Sequence, residues 1–322
     1  MSDFDTPYLI GLDWGTSSLR AYLLGEGGRV LQTRAEPWGI LHVPDGNFPR
    51  AFATLVGDWR TRWPDLPAIA AGMIGSAQGW QEVPYVECPA DAARLVSGLQ
   101  RIASGDGRFL YLVPGVLDGS PLPNVLRGEE TQLFGALQLL PELAAEALLV
   151  LPGTHSKWVT VTDSAIRHFA TYMTGELFAV LRDHSILGRP AREQDSRASP
   201  AAFVRGLDVA REKPVAGSLF STRSLVLTRR LAVEESLDYL SGLLIGEELR
   251  CALDTLGNAC PPLVLIGDGV LCQRYREALL HFGVDNVRIL EQAGSAGLWR
   301  IASDAGLLAT TPSVSPRSAN YA

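Results

Sequence analysis

The chain of 322 residues carries a net charge of −7, with 47% hydrophobic and 20% charged residues. It is long enough for two domains and apolar enough to bury a large core. The acidic balance without a Lys/Arg cluster argues against a nucleic-acid partner, the lack of an apolar window of about eighteen residues argues against a membrane span, and no signal-peptide pattern is evident.

The first predicted element is a β-hairpin. An apolar run over 8–12 ends at Asp13, and a second apolar run over 19–24 follows a turn that contains Gly15, Thr16 and Ser17. Backbone N–H groups in such a turn can cradle a phosphate, and a carboxylate beside them can hold Mg²⁺. An ordinary hairpin with a charged residue at its mouth fits the same pattern, because short turns of Gly, Ser and Thr are common.

The remainder of the first half alternates helix and strand, which predicts an α/β domain with a mixed sheet. The predicted elements are a strand over 29–34, a helix over 48–59, a strand over 68–73, a helix over 89–103 and a strand over 109–113. Gly75, Ser76 and Gln78 lie in a Gly-rich loop after the strand over 68–73. Such a loop either approaches a ligand or forms a plain tight turn.

The second half repeats the opening pattern of the first. Its predicted elements are helices over 129–140, 175–183, 200–211, 233–256, 272–282 and 293–302, and strands over 147–151, 158–161, 165–170, 263–266 and 287–290. Two halves that each open with a hairpin predict a duplicated architecture with a cleft between them. We expect domains at 1–130 and 131–305, and a disordered tail at 306–322 that is rich in Ser and Pro from 310 onward.

Cysteine usage bears on the compartment. The four cysteines, Cys88, Cys251, Cys260 and Cys272, show no C-x-x-C spacing. We therefore expect reduced thiols in a cytoplasmic protein.

Two adjacent carboxylates, Glu129 and Glu130, stand at a predicted helix start just after Arg127. Negative charge at this position also favours the helix dipole without any catalytic role. Because the helix precedes the strand that opens the second half, it should line the cleft. A carboxylate there can accept the proton of a hydroxyl that attacks a phosphoryl group.

A second turn of small residues contains Gly153, Thr154, His155 and Ser156, and Lys157 follows it. The turn is of a size that suits a phosphate. A lysine beside it can neutralise charge on a transferred phosphoryl group or bind a substrate carboxylate. On its own, His155 would more commonly be a structural residue.

The last candidate turn contains Gly267, Asp268 and Gly269 between a predicted strand and a predicted helix. A strand–Gly-x-Gly–helix unit lets the backbone approach a flat or phosphorylated ligand near a helix N-terminus. A tight turn without any ligand fits this short motif equally well.

Taken together in order and spacing, these motifs resemble the actin, sugar-kinase and Hsp70 ATPase superfamily, whose first phosphate-binding hairpin is similar to Asp-x-Gly-Thr-Ser-Ser at 13–18. The resemblance implies an α/β, two-domain actin-like ATPase (ribonuclease H-like) fold with a central interdomain cleft. The segment 127–133 also resembles an exopolyphosphatase segment in which the second glutamate is the base, which maps onto Glu130. The turn at 152–156 lacks the aspartate base of many sugar kinases, which shifts that role to Glu130 or Glu129.

A closer resemblance is to the 2-dehydro-3-deoxygalactonokinase family, over nearly the whole chain to about residue 305. The similar blocks are 13–16 with Arg20, 72–76 with 78–80 and 84–85, 127–132, 151–158, and 173–176 with 184–188. This resemblance implies ATP-dependent phosphorylation of the terminal (6-) hydroxyl of 2-dehydro-3-deoxy-D-galactonate, a step of galactonate catabolism within carbohydrate metabolism.

The resemblance also implies a role for each candidate residue. Asp13 would hold Mg²⁺ through water, and Glu130, or else Glu129, would orient or deprotonate the attacking hydroxyl. The phosphates of ATP would lie on Gly15, Thr16 and Ser17 and on Gly153, Thr154, His155 and Ser156, while Gly267, Asp268 and Gly269 would flank the nucleoside. Candidates for contact with the sugar acid are Arg20, Gly75, Ser76, Gln78, Lys157 and Arg127; a carboxylate substrate suits a bidentate arginine.

Two other functions remain as alternatives. A phosphohydrolase of the exopolyphosphatase type would share the Glu-Glu segment, but it should show a basic channel for a long polyanion. A sugar-acid sensor without turnover would be expected to lose Asp13 or the candidate base, and both are present. The oligomeric state stays open, with a homodimer as one option, and so does the stereochemistry of the sugar acid.

Overall fold

A computed structural model describes residues 6–193, 198–257 and 261–308 of the chain. The strands are β1 (Pro7–Trp14), β2 (Leu19–Gly25), β3 (Val30–Glu36), β4 (Ala68–Ala71), β5 (Val86–Glu87), β6 (Gln100–Ala103), β7 (Phe109–Leu112), β8 (Val116–Asp118), β9 (Asn124–Leu126), β10 (Glu146–Leu151), β11 (Ser156–Thr162), β12 (Ala165–Tyr172), β13 (Leu263–Ile266) and β14 (Val287–Leu290). The helices are α1 (Phe48–Arg62), α2 (Ala92–Ser97), α3 (Glu129–Leu139), α4 (Thr174–His184), α5 (Pro200–Glu212), α6 (Val215–Ser218), α7 (Ser221–Leu227), α8 (Ser236–Leu256), α9 (Gly269–His281) and α10 (Ala293–Asp304).

The two large sheets share one topology. The first sheet has the order β3-β2-β1-β4-β7-β6 and the second β12-β11-β10-β13-β14. In each sheet the three opening strands form an antiparallel meander. In the first sheet β4 and β7 run parallel to β1, and in the second sheet β13 and β14 run parallel to β10. This repeated arrangement is the ribonuclease H-like unit of the two-domain actin-like fold, so the predicted fold class and the duplication are confirmed.

The predicted helix over 89–103 is wrong in its second half. Asp91 caps α2 by accepting a hydrogen bond from the Arg94 N–H, and the Gly98 N–H closes the last turn. Residues 100–103 instead form β6, which pairs antiparallel with β7 at the edge of the first sheet. Tertiary pairing at the sheet edge therefore overrides a local apolar pattern that is compatible with a helix.

A small sheet of order β5-β8-β9 was not predicted. Its strands contain only two or three residues each, which is too short to show a period of two in the sequence. The sheet lies against β12 of the second half, since β12 contacts both β8 and β9. It therefore brings the end of the first half next to the second sheet.

Helices α3 and α10 cross at a distance that only glycine permits. A Cβ on Gly135 would lie 1.8 Å from the carbonyl oxygen of Ala293, and a Cβ on Gly297 would lie 1.7 Å from that of Thr131. Because α10 also packs on β1 and β4, the crossing fixes the start of α3 against the first sheet. The start of α3 carries the two candidate carboxylates.

Some predictions fall at the edges of the described residues. Of the tail expected at 306–322, the structure describes 306–308, where the Leu307 N–H donates to the Ala302 carbonyl at 3.0 Å and closes α10. Residues 309–322 and Cys260 lie outside the described residues. Cys88, Cys251 and Cys272 are free thiols, as expected. Within the described ranges, every helix is too short or too polar to cross a bilayer.

Candidate active site

A cavity of about 840 Å³ is lined by residues of both the first and the second half of the chain. It is lined by Asp13, Arg20, Tyr22, Val30, Thr33, Glu129, Thr131, Gln132, Leu151, Pro152, Gly153, Thr154, His155, Ile266, Gly267, Asp268, Gly269, Glu291, Gln292, Gly294, Ser295 and Leu298. The lining thus includes parts of the second and third predicted turns, Asp13 just before the first turn, and one of the two candidate glutamates. It lies at the carboxyl ends of parallel strands, where ligands bind in open α/β sheets.

Asp13 lies near the carboxyl end of β1 and pairs across the hairpin with Arg20. Burial raises the pKa of the Asp13 carboxyl above its usual value. The positive charge of Arg20 opposes this rise, and the negative charge of Glu129 adds to it. The two carboxylates therefore lie close enough to interact, in a place with too little positive charge to balance them.

Gly128 shapes the backbone that precedes α3. It has a φ of +112°, which side-chain-bearing residues rarely adopt. The turn lets both glutamates fold back onto the backbone: Glu129 Oε2 accepts from the Arg127 N–H at 2.8 Å, and Glu130 Oε2 accepts from the Gly128 N–H at 2.6 Å. Each carboxylate is thereby held in a fixed direction.

The two glutamates differ in their surroundings. Glu129 lines the cavity, whereas Glu130 is 0% exposed. Burial, with a smaller contribution from Glu129, raises the pKa of Glu130 to about 8, and among the described residues its Oε1 has no hydrogen-bond partner. Of the pair, the structure brings Glu129 to the cavity, which differs from the expectation that favoured Glu130 as the base.

The tip of the first hairpin packs against a neighbouring loop. The Gly15 N–H donates to the Ser18 carbonyl at 2.9 Å, and the Gly15 carbonyl accepts from the Ile40 N–H at 3.0 Å. Thr16 and Ser17 are exposed, and all three turn residues lie outside the lining of the cavity. In this conformation the first hairpin contributes Asp13 and Arg20 to the cavity rather than its predicted cradle.

The second turn reaches the cavity and is held from behind by α4. Gly153, Thr154 and His155 all line the cavity. The Glu176 N–H donates to the Thr154 carbonyl at 3.0 Å, and the Glu176 carboxylate is hydrogen-bonded to His155 Nε2. A Cβ on Gly175 would lie 2.4 Å from the Gly153 carbonyl oxygen, so only glycine lets α4 approach this closely.

Ser156 and Lys157 lie beneath the turn instead of in the cavity. Ser156 is fully buried and its hydroxyl is 2.9 Å from the Tyr275 hydroxyl. Lys157 Nζ donates to the Val125 carbonyl and to Thr171 Oγ1, each at 3.0 Å. Burial lowers the pKa of Lys157, and the charge of Glu129 opposes this shift. Lys157 thus joins β9 of the first half to the second sheet.

The third predicted turn also lines the cavity. Gly267 has a φ of +140° and its N–H donates to the Leu290 carbonyl at 3.2 Å. Asp268 Oδ1 accepts from the Leu271 N–H at 3.0 Å and so caps α9. The Asp268 carboxylate therefore has a structural role, while the backbone of the turn remains open to the cavity.

The predicted contacts of the sugar acid are divided between two places. Arg20 lies in the cavity, whereas Gly75, Ser76, Gln78 and Arg127 lie outside its lining. The Ser76 hydroxyl donates to the Met73 carbonyl at 2.7 Å, and Gln78 is exposed.

The Arg127 guanidinium has hydrogen-bond partners for only some of its nitrogen atoms. Its guanidinium lies 4.1 Å from the centre of the Tyr85 ring and its Nη2 donates to the Val83 carbonyl at 2.9 Å. Its Nη1 has no hydrogen-bond partner among the described residues. A Cβ on Gly75 would lie 3.0 Å from this Nη1, so the two predicted residues are neighbours.

Sequence reasoning missed several lining residues. Glu291, Gln292, Gly294 and Ser295 enter the cavity at the end of β14 and the start of α10. The sequence feature that could have indicated them is the pair Gly294-Ser295, which stands at the start of a predicted helix after a predicted strand. This is the same type of unit as 267–269. Tyr22 lies on a strand, where no motif marks it.

A second cavity, of about 550 Å³, lies next to the first and shares Gly153 and Thr154 with it. It is lined otherwise by Thr174, Gly175, Phe178, Leu237, Asp238, Ser241, Leu244, Ile245, Leu271, Arg274 and Tyr275. Five of these residues, Phe178, Leu237, Leu244, Ile245 and Leu271, have apolar side chains, and the whole set comes from α4, α8 and α9. No sequence motif marks this cavity, because it is built from helix faces whose residue pattern is that of ordinary core.

The donor set in the larger cavity fits a hydrated divalent cation. Its ionisable lining includes Asp13, Glu129, Asp268 and Glu291 against Arg20, which is an excess of negative charge. Mg²⁺ is bound through one or two carboxylates, waters and phosphate oxygens. Within the described ranges, no group of three or more His, Cys, Asp or Glu side chains is arranged to hold a metal ion by itself.

A profile of the family described as 2-keto-3-deoxy-galactonokinase matches residues 13–301. The chain is 37% identical over 305 residues to a Rhizobium meliloti (strain 1021) protein named "Probable 2-dehydro-3-deoxygalactonokinase DgoK1", covering 90% of this chain and 95% of the relative. It is 35% identical over 302 residues to 2-dehydro-3-deoxygalactonokinase of Escherichia coli (strain K12), covering 92% of this chain and 98% of the relative.

A crystal structure shows the same kinship in three dimensions. It is that of a Sinorhizobium meliloti protein provisionally named as a 2-dehydro-3-deoxygalactonokinase, with a TM-score of 0.84, 37% identity, and coverage of 92% of this chain and 99% of that one. The resemblance inferred from the sequence blocks is therefore confirmed. The chain belongs to the 2-keto-3-deoxy-galactonokinase family.

Proposed function

We propose that this protein transfers the γ-phosphoryl group of ATP to the 6-hydroxyl of 2-dehydro-3-deoxy-D-galactonate, in galactonate catabolism. The observation that carries the proposal is the 840 Å³ cavity, in which Asp13 and Glu129 of the first half face the turns at Gly153 and Gly267 of the second. Membership of the family and the name of the Escherichia coli relative support this substrate.

In the proposed reaction, the substrate hydroxyl oxygen forms a bond to the γ-phosphorus while the bond from that phosphorus to the ADP oxygen breaks. The hydroxyl proton passes to the carboxylate of Glu129, and ADP leaves. We assign this role to Glu129 because a base must reach the hydroxyl within hydrogen-bonding distance, and Glu130 has no exposed surface.

Asp13 would hold Mg²⁺ through water. When bound, the ion neutralises charge on the phosphates. Ionised Asp13 is required for this, and its raised pKa fits a carboxylate whose charge is balanced when the cation is present.

The nucleotide would span the two cavities. We place its phosphates against the turn at 153–155, with the tip at 15–17 completing the cradle after the two halves approach one another. The nucleoside would pass Gly267 and Gly269, which line the 840 Å³ cavity, and enter the adjoining 550 Å³ cavity beside α9. Apolar walls with a few polar groups are typical of such sites.

The sugar acid would lie beside Glu129, toward Gly75, Ser76, Gln78 and Arg127. The Arg127 guanidinium, whose buried Nη1 has no hydrogen-bond partner among the described residues, would turn toward the substrate carboxylate on binding, since arginine suits carboxylate recognition. Arg20 and Lys157 would add positive charge to the same region. Binding would favour approach of the domains at 1–130 and 131–305, which excludes water from the reacting phosphate.

The cellular context belongs to the same proposal. Free thiols in the described residues fit a reducing compartment, and we propose a cytoplasmic location with soluble small molecules as substrates. We propose a homodimer as the assembly, and analytical ultracentrifugation of the purified protein would measure its mass in solution.

A coupled assay of ADP release tests the proposal. Purified protein with MgATP should release ADP when 2-dehydro-3-deoxy-D-galactonate is added, and less with its C4 epimer or with sugars that lack the carboxylate. Phosphate release from polyphosphate without an acceptor would favour a phosphohydrolase instead. Calorimetric binding of the sugar acid without turnover would favour a sensor. Either result would overturn the kinase proposal.

A further inference from the structure

A buried carboxylate that the proposed chemistry does not use lies behind the second turn. Glu248, on α8, is 2% exposed. It accepts hydrogen bonds from Trp158 Nε1 at 2.8 Å and from the Tyr275 hydroxyl at 2.7 Å, and also from the Thr174 hydroxyl. A buried charge is costly unless it is fully hydrogen-bonded, so these donors from three separate elements make Glu248 the centre of one network.

Two of these donors lead to opposite ends of the second turn. Thr174 is the first residue of α4. The next two residues contact the turn, since Gly175 packs against the Gly153 carbonyl and the Glu176 N–H donates to the Thr154 carbonyl. The Tyr275 hydroxyl, in turn, lies 2.9 Å from the Ser156 hydroxyl at the far end. One carboxylate is therefore connected to both flanks of the segment 153–156.

We propose that Glu248 is a positioning residue that holds the turn at 153–156 from both ends, and that it thereby sets the affinity of the protein for the nucleotide phosphates. The inference rests on the proposed function, because it takes this turn as the phosphate cradle. Thr174 and Tyr275 also line the 550 Å³ cavity. The same network therefore orders a wall of the space that we assign to the nucleoside.

The Glu248 carboxyl suits this position because its two oxygens can accept several hydrogen bonds, and its three hydrogen-bond partners each offer an N–H or O–H. Burial raises the pKa of Glu248, and the hydrogen bonds from Thr174, Trp158 and Tyr275 act against that rise. A fully satisfied polar network of this kind fixes the geometry of its members more tightly than apolar packing does.

The test compares Thr174→Val, which removes one donor at nearly constant volume, with Thr174→Ser, which keeps it. We expect Thr174→Val to raise the KM for ATP about tenfold, as the loss of a buried hydrogen bond that leaves its acceptor less satisfied would. The KM for the sugar acid and kcat should change less than about twofold, and Thr174→Ser should restore the KM for ATP. Glu247→Gln is the matched control, since Glu247 is the neighbouring carboxylate and pairs with Arg250 on the surface.

Two results would overturn the inference: a wild-type KM for ATP in Thr174→Val, or equal increases of KM for both substrates, which would indicate general damage. If Thr174→Val fails to fold, Tyr275→Phe breaks the other arm and carries the same expectation. Calorimetry of ATP binding separates this inference from the kinase proposal. A wild-type protein that binds ATP but phosphorylates no sugar acid would contradict the proposed function, while the ratio of ATP affinities between wild type and variant would still decide the inference.

Discussion

The two hairpin turns occupy corresponding places in the two repeated sheets, but they bring different groups to the cavity. The first brings the carboxylate of Asp13, while its tip at 15–17 packs outside the lining. The second brings the backbone of 153–155, and the apolar Leu151 and Pro152 stand at the end of its first strand. The first hairpin thus brings a carboxylate to the cavity, and the second brings a turn that we propose as the phosphate cradle.

The difference shows how a duplicated unit can divide one task. A second carboxylate at the other turn would add to the negative charge of Asp13 and Glu129 and repel the phosphates. Without a carboxylate of its own, the second turn depends on a well-fixed backbone, and α4 provides this through the contacts of Gly175 and Glu176. The asymmetry therefore predicts different consequences for changes in the two turns.

The largest effect is expected at the first turn. Asp13→Asn removes the charge that would hold Mg²⁺, and kcat with MgATP should fall about 10²- to 10³-fold, which is the usual loss for one preorganised electrostatic group. The variant should unfold at an equal or higher temperature than wild type, because burial makes ionised Asp13 unfavourable. Steady-state kinetics and calorimetry of unfolding check the two parts.

Asp45→Asn is the control for this change, since Asp45 is an exposed carboxylate of the same half that pairs with Arg50. It should leave kcat unaltered. An Asp13→Asn enzyme with more than a tenth of the wild-type kcat would show that the first turn does not supply the charge.

The next largest effect is expected from the proposed base, and it distinguishes the catalytic contribution of Glu129 from that of Glu130. Glu129→Gln should lower kcat about a hundredfold, because a general base typically contributes at least this much. Glu130→Gln should keep most of the activity, since the amide can still accept from the Gly128 N–H and the residue does not reach the cavity. Single-turnover kinetics at saturating substrates measure the chemical step in both variants. The opposite ranking would return the role of base to Glu130.

Only part of the first-half site was predictable, since Asp13, Arg20 and Glu129 line the cavity while the predicted turns at 15–17 and 75–78 do not. Asp13 and the turn after it form one motif, and the order of apolar runs predicted both opening hairpins. The choice between Glu129 and Glu130 was not predictable, because adjacent helix residues point about 100° apart and their directions depend on the positive φ of Gly128. Only the packed structure shows which one faces the cavity.

The two second-half turns were predicted more completely, since 153–155 and 267–269 all line the cavity, but the contacts that hold them come from distant segments and were not predictable. The turn at 153–156 was found, but the burial of Ser156 and Lys157 depends on contacts with Tyr275, Val125 and Thr171. The apolar cavity beside α8 has no motif at all. Similarly, the edge strand over 100–103 could not be told from a helix, since its pairing with β7 is a tertiary contact.

A smaller effect is expected from the support of the second turn. Gly175→Ala places a Cβ 2.4 Å from the Gly153 carbonyl oxygen, so α4 must move away from the turn. We expect the KM for ATP to rise about tenfold, an energetic change of about 1.4 kcal/mol, with kcat less affected than in Asp13→Asn.

Gly57→Ala is the matched control, because a Cβ at Gly57 meets nothing within 4 Å. It should leave both constants unchanged and slightly stabilise α1. An unchanged KM for ATP in Gly175→Ala would mean that α4 does not hold the turn.

The pH dependence of stability tests the environment at the start of α3. A carboxyl whose pKa rises from 4.5 to about 8 on folding contributes stability that is complete below about pH 4.5 and is lost as the pH rises through 8. Glu130→Gln removes this loss. The free energy of unfolding should therefore fall less between pH 5 and pH 9 in the variant, by up to a few kcal/mol. Urea denaturation at both pH values measures the difference, and parallel curves for the two proteins would contradict the burial of an ionisable Glu130.

The smallest effect concerns the partner of Asp13 on β2. Arg20 lowers the pKa of Asp13 against the effect of burial, so Arg20→Gln should raise that pKa further. Because the ionised carboxylate is the form that holds the cation, the acid limb of the profile of kcat/KM against pH should move to higher pH at subsaturating Mg²⁺. Arg20 is exposed, and screening by salt keeps the shift small and should reduce it at high ionic strength. Arg29→Gln, at an exposed arginine in the turn between β2 and β3, should leave the limb in place. An acid limb that does not move in Arg20→Gln, even at low ionic strength, would show that Arg20 does not act on Asp13, and Asp13 would then carry its charge without help from the opposite strand.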